Sequence, residues 1–260
     1  MKSTSTLKAP ERGLLPRILK KAGAVLFWIA LWQMAAMLVG QELILPAPLA
    51  VLRRLLALSC TGDFWLTAGT SLGRILLGFL LGTAAGTLLA ALTCRVSAAD
   101  AILAPVIRMA RATPVASFII LALLWIGKAR VPGFISMLMV LPVVWENTVT
   151  GIRETDPGLL EMAKSYRFGF WRTLGKVRIP SVLPAWRAGT VTALGLAWKS
   201  GVAAEVLCQP RLSLGTEIYY AKVYLETADL FAWTAVVILL SWGLEKGLVA
   251  LVGRKGGGAG

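Results

Sequence analysis

The chain contains no histidine at all, and it is poor in both cysteine and acidic residues. Without histidine it lacks the side chain that most often serves as a general base or a metal ligand. Its three cysteines, Cys60, Cys94 and Cys208, lie too far apart to match a metal-ligand spacing. The sequence therefore predicts no catalytic residue and no metal site. It leaves open whether Cys60 and Cys208 form a disulfide or stay as thiols.

A phosphate-binding loop is missing as well. The nearest approach to one begins at Gly169 and ends at Gly175-Lys176, with five intervening residues where such a loop has four. Val177 follows where the loop needs serine or threonine. We therefore expect this chain to hold no cofactor, and any ATP that drives it must be hydrolysed by another chain.

What the sequence has in abundance is apolar residues: it is 57% hydrophobic, only 15% charged, and its mean hydropathy is +0.73. A membrane-spanning helix needs roughly 20 mostly apolar residues. We identify six such runs, at 22–40, 75–94, 102–127, 131–152, 188–207 and 230–252. The expected fold is an all-α membrane protein of about six transmembrane helices, and Pro114 is expected to kink the third.

The basic residues predict the orientation of these spans. With the N-terminus inside, nineteen lysines and arginines fall in inner segments and six in outer ones, as the positive-inside rule requires. Both termini are then cytoplasmic: a tail at 1–21, a transmembrane domain at 22–252 and a flexible tail at 253–260. The net charge of +14 is explained by this topology and by contact with anionic lipid. We expect no nucleic acid partner.

The longest polar interruption, 151–187, lies between two spans and is predicted to be cytoplasmic. Asp156-Pro157 is typical of a helix start, with a capping carboxylate followed by proline at the first helical position. Apolar residues then recur at one helical face: Leu159, Ala163, Tyr166 and Phe170. Pro180 and Pro184 are expected to end the helix that follows. Such an amphipathic helix either lies on the lipid surface or fits a groove on a partner.

The same loop resembles a motif of bacterial ABC importer permeases, E-A-A-x3-G-x9-I-x-L-P. Here the pattern is Glu161-Met162-Ala163, three residues, Arg167, nine residues, then Val177-Arg178-Ile179-Pro180. Arg167 stands where the family usually has glycine, and Gly169 comes two residues later. The sequence leaves open whether the turn moves to Gly169 or stays partly helical.

Further segments are similar to the nitrate, sulfonate and taurine branch of these permeases. They are Leu45-Pro46-Ala47-Pro48, the run from Thr70 to Phe79, and the region from Pro105 to Trp125-Ile126-Gly127. The resemblance implies a type I ABC importer permease-like bundle in the bacterial inner membrane, carrying a small solute such as a sulfonate-like anion. It also implies a second permease copy, a binding protein outside, and a cytoplasmic ATPase dimer that binds ATP and magnesium. The loop would contact that ATPase through Leu159, Glu161, Ala163, Tyr166, Arg167, Gly169, Phe170 and Pro180.

Charged residues within spans are costly and each raises a functional hypothesis. Lys199 lies near mid-bilayer, where it either binds an oxyanion or pairs with a carboxylate. Glu205 is a second candidate for lining the pathway. It and Lys199 are six residues apart, about 600° of helical rotation, so they face different ways. Arg74 either snorkels outward or lines the pathway, and Glu146, beside Asn147, either lines it or pairs with a loop arginine.

Three glycines in the second span, Gly78, Gly82 and Gly86, share one helical face. They either let a neighbouring helix approach closely or line a pore.

Three other classes of protein stay open. A secondary transporter needs its own coupling-ion site and usually has internal repeats, a membrane enzyme needs reactive side chains within its spans, and a channel needs no docking loop.

Overall fold

The computed structural model describes residues 14–253, and this part of the chain consists of helices joined by short loops. The helices are α1 (Leu14–Val39), α2 (Pro48–Ser59), α3 (Gly62–Arg95), α4 (Ser97–Ala112), α5 (Val115–Trp125), α6 (Val131–Arg153), α7 (Pro157–Ser165), α8 (Phe170–Thr173), α9 (Ile179–Cys208), α10 (Leu214–Val223) and α11 (Thr227–Gly253). A π-helical turn, Leu174–Arg178, joins α8 to α9. Helix α1 begins inside the predicted tail 1–21, whose first 13 residues lie outside the described part, as does 254–260.

The predicted class, an all-α membrane protein, is confirmed. Five helical stretches of the described chain are long and apolar enough to cross a membrane: α1, α3, α6, the continuous run Phe170–Cys208, and α11. The third predicted span, 102–127, is not one straight helix, because α4 and α5 meet at an angle of 107°. Pro114 lies at this break, and Thr113 before it is extended, because proline disfavours the helical conformation in the residue that precedes it.

The helices α3 and α9 begin well before the spans that hydropathy indicated. Helix α3 starts at Gly62 rather than at 75, and α9 starts at Ile179 rather than at 188. The expectation that Pro180 and Pro184 end a helix was therefore wrong. Pro180 lies directly after the π-helical turn, within the continuous helical run Phe170–Cys208. Pro184 lies inside α9, where the lost hydrogen bond is offset by the packing of this helix on α6.

Helices α3, α6 and α9 form the core of the bundle. The three glycines of α3 lie against α6: a Cβ on Gly78 would be 2.1 Å from the carbonyl oxygen of Gly133, and Cβ atoms on Gly82 and Gly86 would each be 2.7 Å from a carbonyl oxygen of α6. Gly201 of α9 makes a similarly close approach, with Ile75 2.7 Å from its would-be Cβ. Small residues thus let three backbones meet closely, as is common between membrane helices.

The short helices lie at the two ends of this core. Helix α7 follows the C-terminus of α6, and α9 runs from that end to α10 at the other. Helix α2 packs on α11 at the α10 end. There the Arg54 guanidinium donates two hydrogen bonds to the carboxylate of Asp229, and the bond from Nη2 measures 2.8 Å. The α7 end is held by an ion pair of 3.3 Å between Arg153 of α6 and Asp100 of α4.

Candidate coupling loop and membrane charges

The predicted start of the loop helix is confirmed. Asp156 caps α7, and its carboxylate accepts a hydrogen bond of 2.7 Å from the backbone N–H of Gly158. Pro157 occupies the first helical position, where its fixed φ suits the helix and no intrahelical donor is lost. This local chemistry gives α7 a well-defined N-terminus even though the helix has only nine residues.

The predicted apolar face of this helix was wrong in extent. Helix α7 ends at Ser165, so Tyr166 caps its C-terminus and Phe170 belongs to α8. The side chain of Ala163 is only 1% exposed. It lies on the side of α7 that packs on the π-helical turn, which contains the buried Val177. The exposed side of α7 instead presents Leu159, Glu161 and Met162.

The turn after α7 is formed at Arg167, the position at which the motif usually has glycine. This residue has φ of 52°, the left-handed region that favours glycine. The N–H of Phe168 donates to the carbonyl of Ala163, and the N–H of Arg167 donates to that of Lys164, each at 2.9 Å. This is the hydrogen-bond pattern of a Schellman motif, in which the left-handed residue is usually glycine. Gly169 has ordinary extended geometry and starts α8, so the turn is not displaced.

We therefore expect Arg167→Gly to stabilise the folded chain, by about 0.5–1 kcal/mol, because a left-handed conformation is strained for arginine and not for glycine. The midpoint of thermal unfolding of the purified protein should rise. Lys164→Gly, three residues earlier and at an ordinary helical position, is the matched control and should lower stability by about 1 kcal/mol. Equal midpoints for the two variants would contradict this account.

Aromatic side chains surround the start of α8. The guanidinium of Arg172 lies 4.5 Å from the centre of the Phe168 ring, a cation–π contact that fixes the loop after α7. Phe170 and Trp171 are 56% and 80% exposed. Tryptophan is enriched at the membrane–water interface, so Trp171 gives α8 the chemistry to rest on lipid.

The charge on α6 is paired. Glu146 forms an ion pair with Arg111 at the end of α4, and both side chains are more than half exposed. The carboxylate is thus paired with an arginine, as one of the two sequence hypotheses had it, but Arg111 lies in the last turn of α4 and not in a loop. Asn147 points the other way: a Cβ on Gly189 of α9 would be 2.5 Å from the Cβ of Asn147, so Asn147 lies in the contact between the two helices.

Arg74 and Glu205 belong to a buried network at the α10 end. Glu205 is fully buried, and one of its carboxylate oxygens accepts hydrogen bonds from the Ser71 hydroxyl at 2.9 Å and the Gly215 N–H at 3.2 Å. The Arg74 guanidinium lies 3.8 Å from the other oxygen and donates to the carbonyl of Arg211 at 2.8 Å. The Glu205 carboxylate and the Arg74 guanidinium thus connect α3 and α9 to the start of α10. No sequence pattern indicated Ser71 as a hydrogen-bond partner of Glu205.

Lys199 is exposed, although it lies within the span formed by α9. Among residues 22–251 it forms no ion pair. It faces away from Glu205, as the spacing on the helix predicted. The three cysteines are free thiols, Cys60 exposed and Cys208 buried, so they form no disulfide within the chain.

The outer surface of the α10 end is acidic in part. Burial raises the pKa of Glu217 on α10, and the negative charges of Asp229 and Asp63 add to this. The hydrogen bond to Asp229 raises the pKa of the Arg54 guanidinium. Beside this pair, residues of the α1–α2 and α10–α11 loops line an open groove with a volume of about 580 Å³.

Comparison with known proteins agrees with this architecture. A family model described as binding-protein-dependent transport system inner membrane component matches residues 78–244. The chain is 32% identical over 204 residues to a putative aliphatic sulfonates transport permease of Escherichia coli (strain K12), covering 76% of each. It is 29% identical over 229 residues to a protein of the same description from Bacillus subtilis (strain 168), covering 87% of this chain and 82% of that one.

A solved structure supports the fold. The crystal structure of an amino acid ABC transporter with histidines superposes with a TM-score of 0.57 at 16% identity, covering 71% of this chain and 88% of that chain. The fold is a core of spanning helices with the capped helix α7 at one end, and the sequence relatives identify this class of protein as a membrane permease. The chain belongs to the family of binding-protein-dependent transport system inner membrane components. It is the membrane-spanning permease of an ABC importer, which decides against a secondary transporter, a channel and a membrane enzyme.

Proposed function

We propose that this permease imports a small sulfonate-like anion across the bacterial inner membrane and is driven by a separate ATPase that docks on α7. The observation that carries the coupling role is the geometry of α7, a capped helix whose Leu159, Glu161 and Met162 side chains are exposed. The names of the relatives support the substrate class, since two are described as putative aliphatic sulfonates transport permeases and another, 27% identical, as a taurine transport system permease of E. coli.

The ATPase partner is a cytoplasmic dimer that binds ATP and magnesium, while the permease itself needs no cofactor. Leu159 and Met162 offer apolar contact to a groove on that partner, and Glu161 offers a carboxylate to a basic residue. Tyr166 and Phe170 extend the contact beyond the end of α7. Ala163 does not contact the ATPase in this proposal. Its small side chain instead lets α7 pack closely on the π-helical turn.

Closure of the ATPase dimer would move α7 together with the spans on either side of it. The loop between α6 and α7 is only three residues long, and the Arg153–Asp100 ion pair ties α6 to α4. A push on α7 is therefore transmitted as a rigid-body movement of packed helices. In the complete importer we propose two copies of this chain, with the binding protein at the α2 and α10 end and both termini in the cytoplasm, as the positive-inside rule favours.

The test is co-purification of the tagged permease with its ATPase from native membranes. Glu161→Lys reverses the charge on the exposed face of α7, and Leu159→Asp removes its apolar contact. We expect either change to lower the recovered ATPase by at least about tenfold, the effect of losing one charged or apolar anchor at an interface. Substrate uptake should fall with it.

Glu226→Lys is the matched control, because it makes the same charge reversal at an exposed position of the α10 end. It should leave the ATPase bound. The docking role would have to be abandoned if Glu161→Lys and Leu159→Asp both kept the ATPase and the uptake rate of the unmodified permease.

A further inference from the structure

Lys199 lies on the side of α9 that is turned away from the helices packed against it. A Cβ on Gly201 would be 2.6 Å from a side chain of α6 and 2.7 Å from one of α3. The indole of Trp198 donates to a backbone carbonyl of α11 at 3.1 Å, and Ala204 belongs to a buried cluster with α5 and α6. At about 100° per residue, Lys199 points about 160°, 100° and 140° away from these three directions. Its side chain is therefore exposed.

The depth of Lys199 makes this exposure costly in lipid. It lies nine residues before the end of α9, about 14 Å from the α10 end, which is near the middle of a hydrocarbon layer about 30 Å thick. It forms no ion pair among residues 22–251. An ionised lysine at this depth is expected to face water, protein or a bound anion.

A groove opens on the same side of α9, toward the α10 end. It lies where α9 meets α10 and α11, and its volume is about 280 Å³. Val206 lines this groove and follows Lys199 by seven residues, so the two residues point within about 20° of each other and lie about 10 Å apart along the helix. Ala203 lies between them and is exposed. The groove and Lys199 therefore follow one another along a single face of α9.

The chemistry of the groove suits an anion. Gln209, Tyr219 and Lys222 line it, and each carries a hydrogen-bond donor in its side chain. None of the described residues that line it is acidic. The larger groove at the same end is lined by three carboxylates and one guanidinium, a net negative charge that repels an anion. Of these two grooves, the smaller one is thus the better entrance for an anion.

We propose that the groove at Lys222 admits the transported anion and that Lys199 binds it next, about 10 Å deeper on the same face of α9. This inference rests on the proposed function and adds to it the groups that recognise the substrate and their order. A lysine provides a compact point charge for a monovalent oxyanion. Two separate cations also suit transport, because an anion that is bound at several sites in turn is held firmly enough to enter and weakly enough to leave.

Uptake of radiolabelled ethanesulfonate by the complete importer in proteoliposomes tests both lysines. We expect Lys199→Gln to lower uptake about tenfold or more, the loss of one charged hydrogen bond, with the ATPase still bound. Lys222→Gln should lower uptake at least about threefold, because the groove then attracts the anion less. Lys199→Arg should retain most uptake. The matched control is Lys128→Gln, which removes an exposed cation of the α5–α6 loop at the same end and should leave uptake unchanged.

A second measurement does not depend on the identity of the substrate. Ala203→Cys, made with the three native cysteines replaced by alanine, places one thiol between the groove and Lys199. In the assembled importer, a negatively charged methanethiosulfonate should react at this thiol about tenfold faster than a positively charged one. Lys199→Gln and Lys222→Gln together should remove most of that preference, and Lys128→Gln should leave it in place.

The outcomes separate this inference from the function on which it rests. Ethanesulfonate uptake that is unchanged in Lys199→Gln or in Lys222→Gln would overturn the inference and leave the importer assignment intact. Equal labelling of Ala203→Cys by both reagents would also overturn it, since the face would then be covered or would not attract anions. A reagent preference that depends on the two lysines, without ethanesulfonate uptake by the unmodified importer, would support the anion path while rejecting sulfonate as the cargo.

Discussion

Replacing Gly78 with leucine should prevent α3 from packing on α6, and we expect little folded permease to reach the membrane. A single Cβ at this position would already lie 2.1 Å from the carbonyl oxygen of Gly133 and 2.9 Å from the Cβ of Ser136. The first of these atoms belongs to the backbone, so no side-chain rotation can relieve the contact. Gly78→Ala should cost about 1–3 kcal/mol, as overpacking of a close-packed interior does, and leucine should cost more.

The measurement is the yield of permease after detergent extraction, followed by the midpoint of thermal unfolding of what is recovered. Gly73→Leu provides the control on the same helix, since a Cβ at Gly73 meets no other atom within 4 Å. It should behave like the unmodified chain. Similar yields and midpoints for Gly73→Leu and Gly78→Leu would contradict the packing of α3 on α6 described here.

The spans most accurately predicted are those whose ends carry a local signal. Helix α6 was expected at 131–152 and is found at Val131–Arg153, because arginines at both ends mark where the apolar run stops. For α3 the same reasoning failed. Thr67 and Ser71 lower the hydropathy of its first turns, yet both are buried, and Ser71 contacts a carboxylate of α9 that lies 134 positions later in the chain.

The loop shows the same division between local and long-range information. Asp156-Pro157 fixed the start of α7 because capping involves only neighbouring residues. The end of α7 was misplaced because the usual glycine is absent, and Arg167 adopts the left-handed conformation within a hydrogen-bonded turn. That Ala163 faces inward depends on the π-helical turn, which sequence spacing did not reveal.

Lys199 and Glu205 show what spacing on one helix can and cannot decide. Their separation correctly predicted different directions, about 120° apart, and the structure shows one exposed and the other fully buried. Which of them is buried depends on α3 and α10, whose positions are set by contacts distant in sequence. Both were equally good candidates for the pathway until the bundle was assembled.

Removing the Glu205 carboxylate is the second change with a large expected effect on stability. Glu205→Ala leaves the Ser71 hydroxyl and the Gly215 N–H without the acceptor that each now contacts, and it leaves Arg74 beside an apolar cavity. Breaking a buried charged network by removing one partner costs about 3 kcal/mol or more. Arg74 keeps its hydrogen bond to the carbonyl of Arg211, which limits the loss.

Glu205→Gln separates the charge from the hydrogen bonds. The amide keeps the volume and one acceptor oxygen, so it should cost only about 1 kcal/mol. Thermal unfolding in detergent should rank the alanine variant below the glutamine variant and both below the unmodified chain. Because Glu205 accepts from the first turn of α10, hydrogen exchange at Leu214–Val223 should accelerate in the alanine variant before the core of α3, α6 and α9 is affected. If α10 exchanges at the same rate in all three proteins, Glu205 does not hold that helix, and the buried network serves α3 and α9 alone.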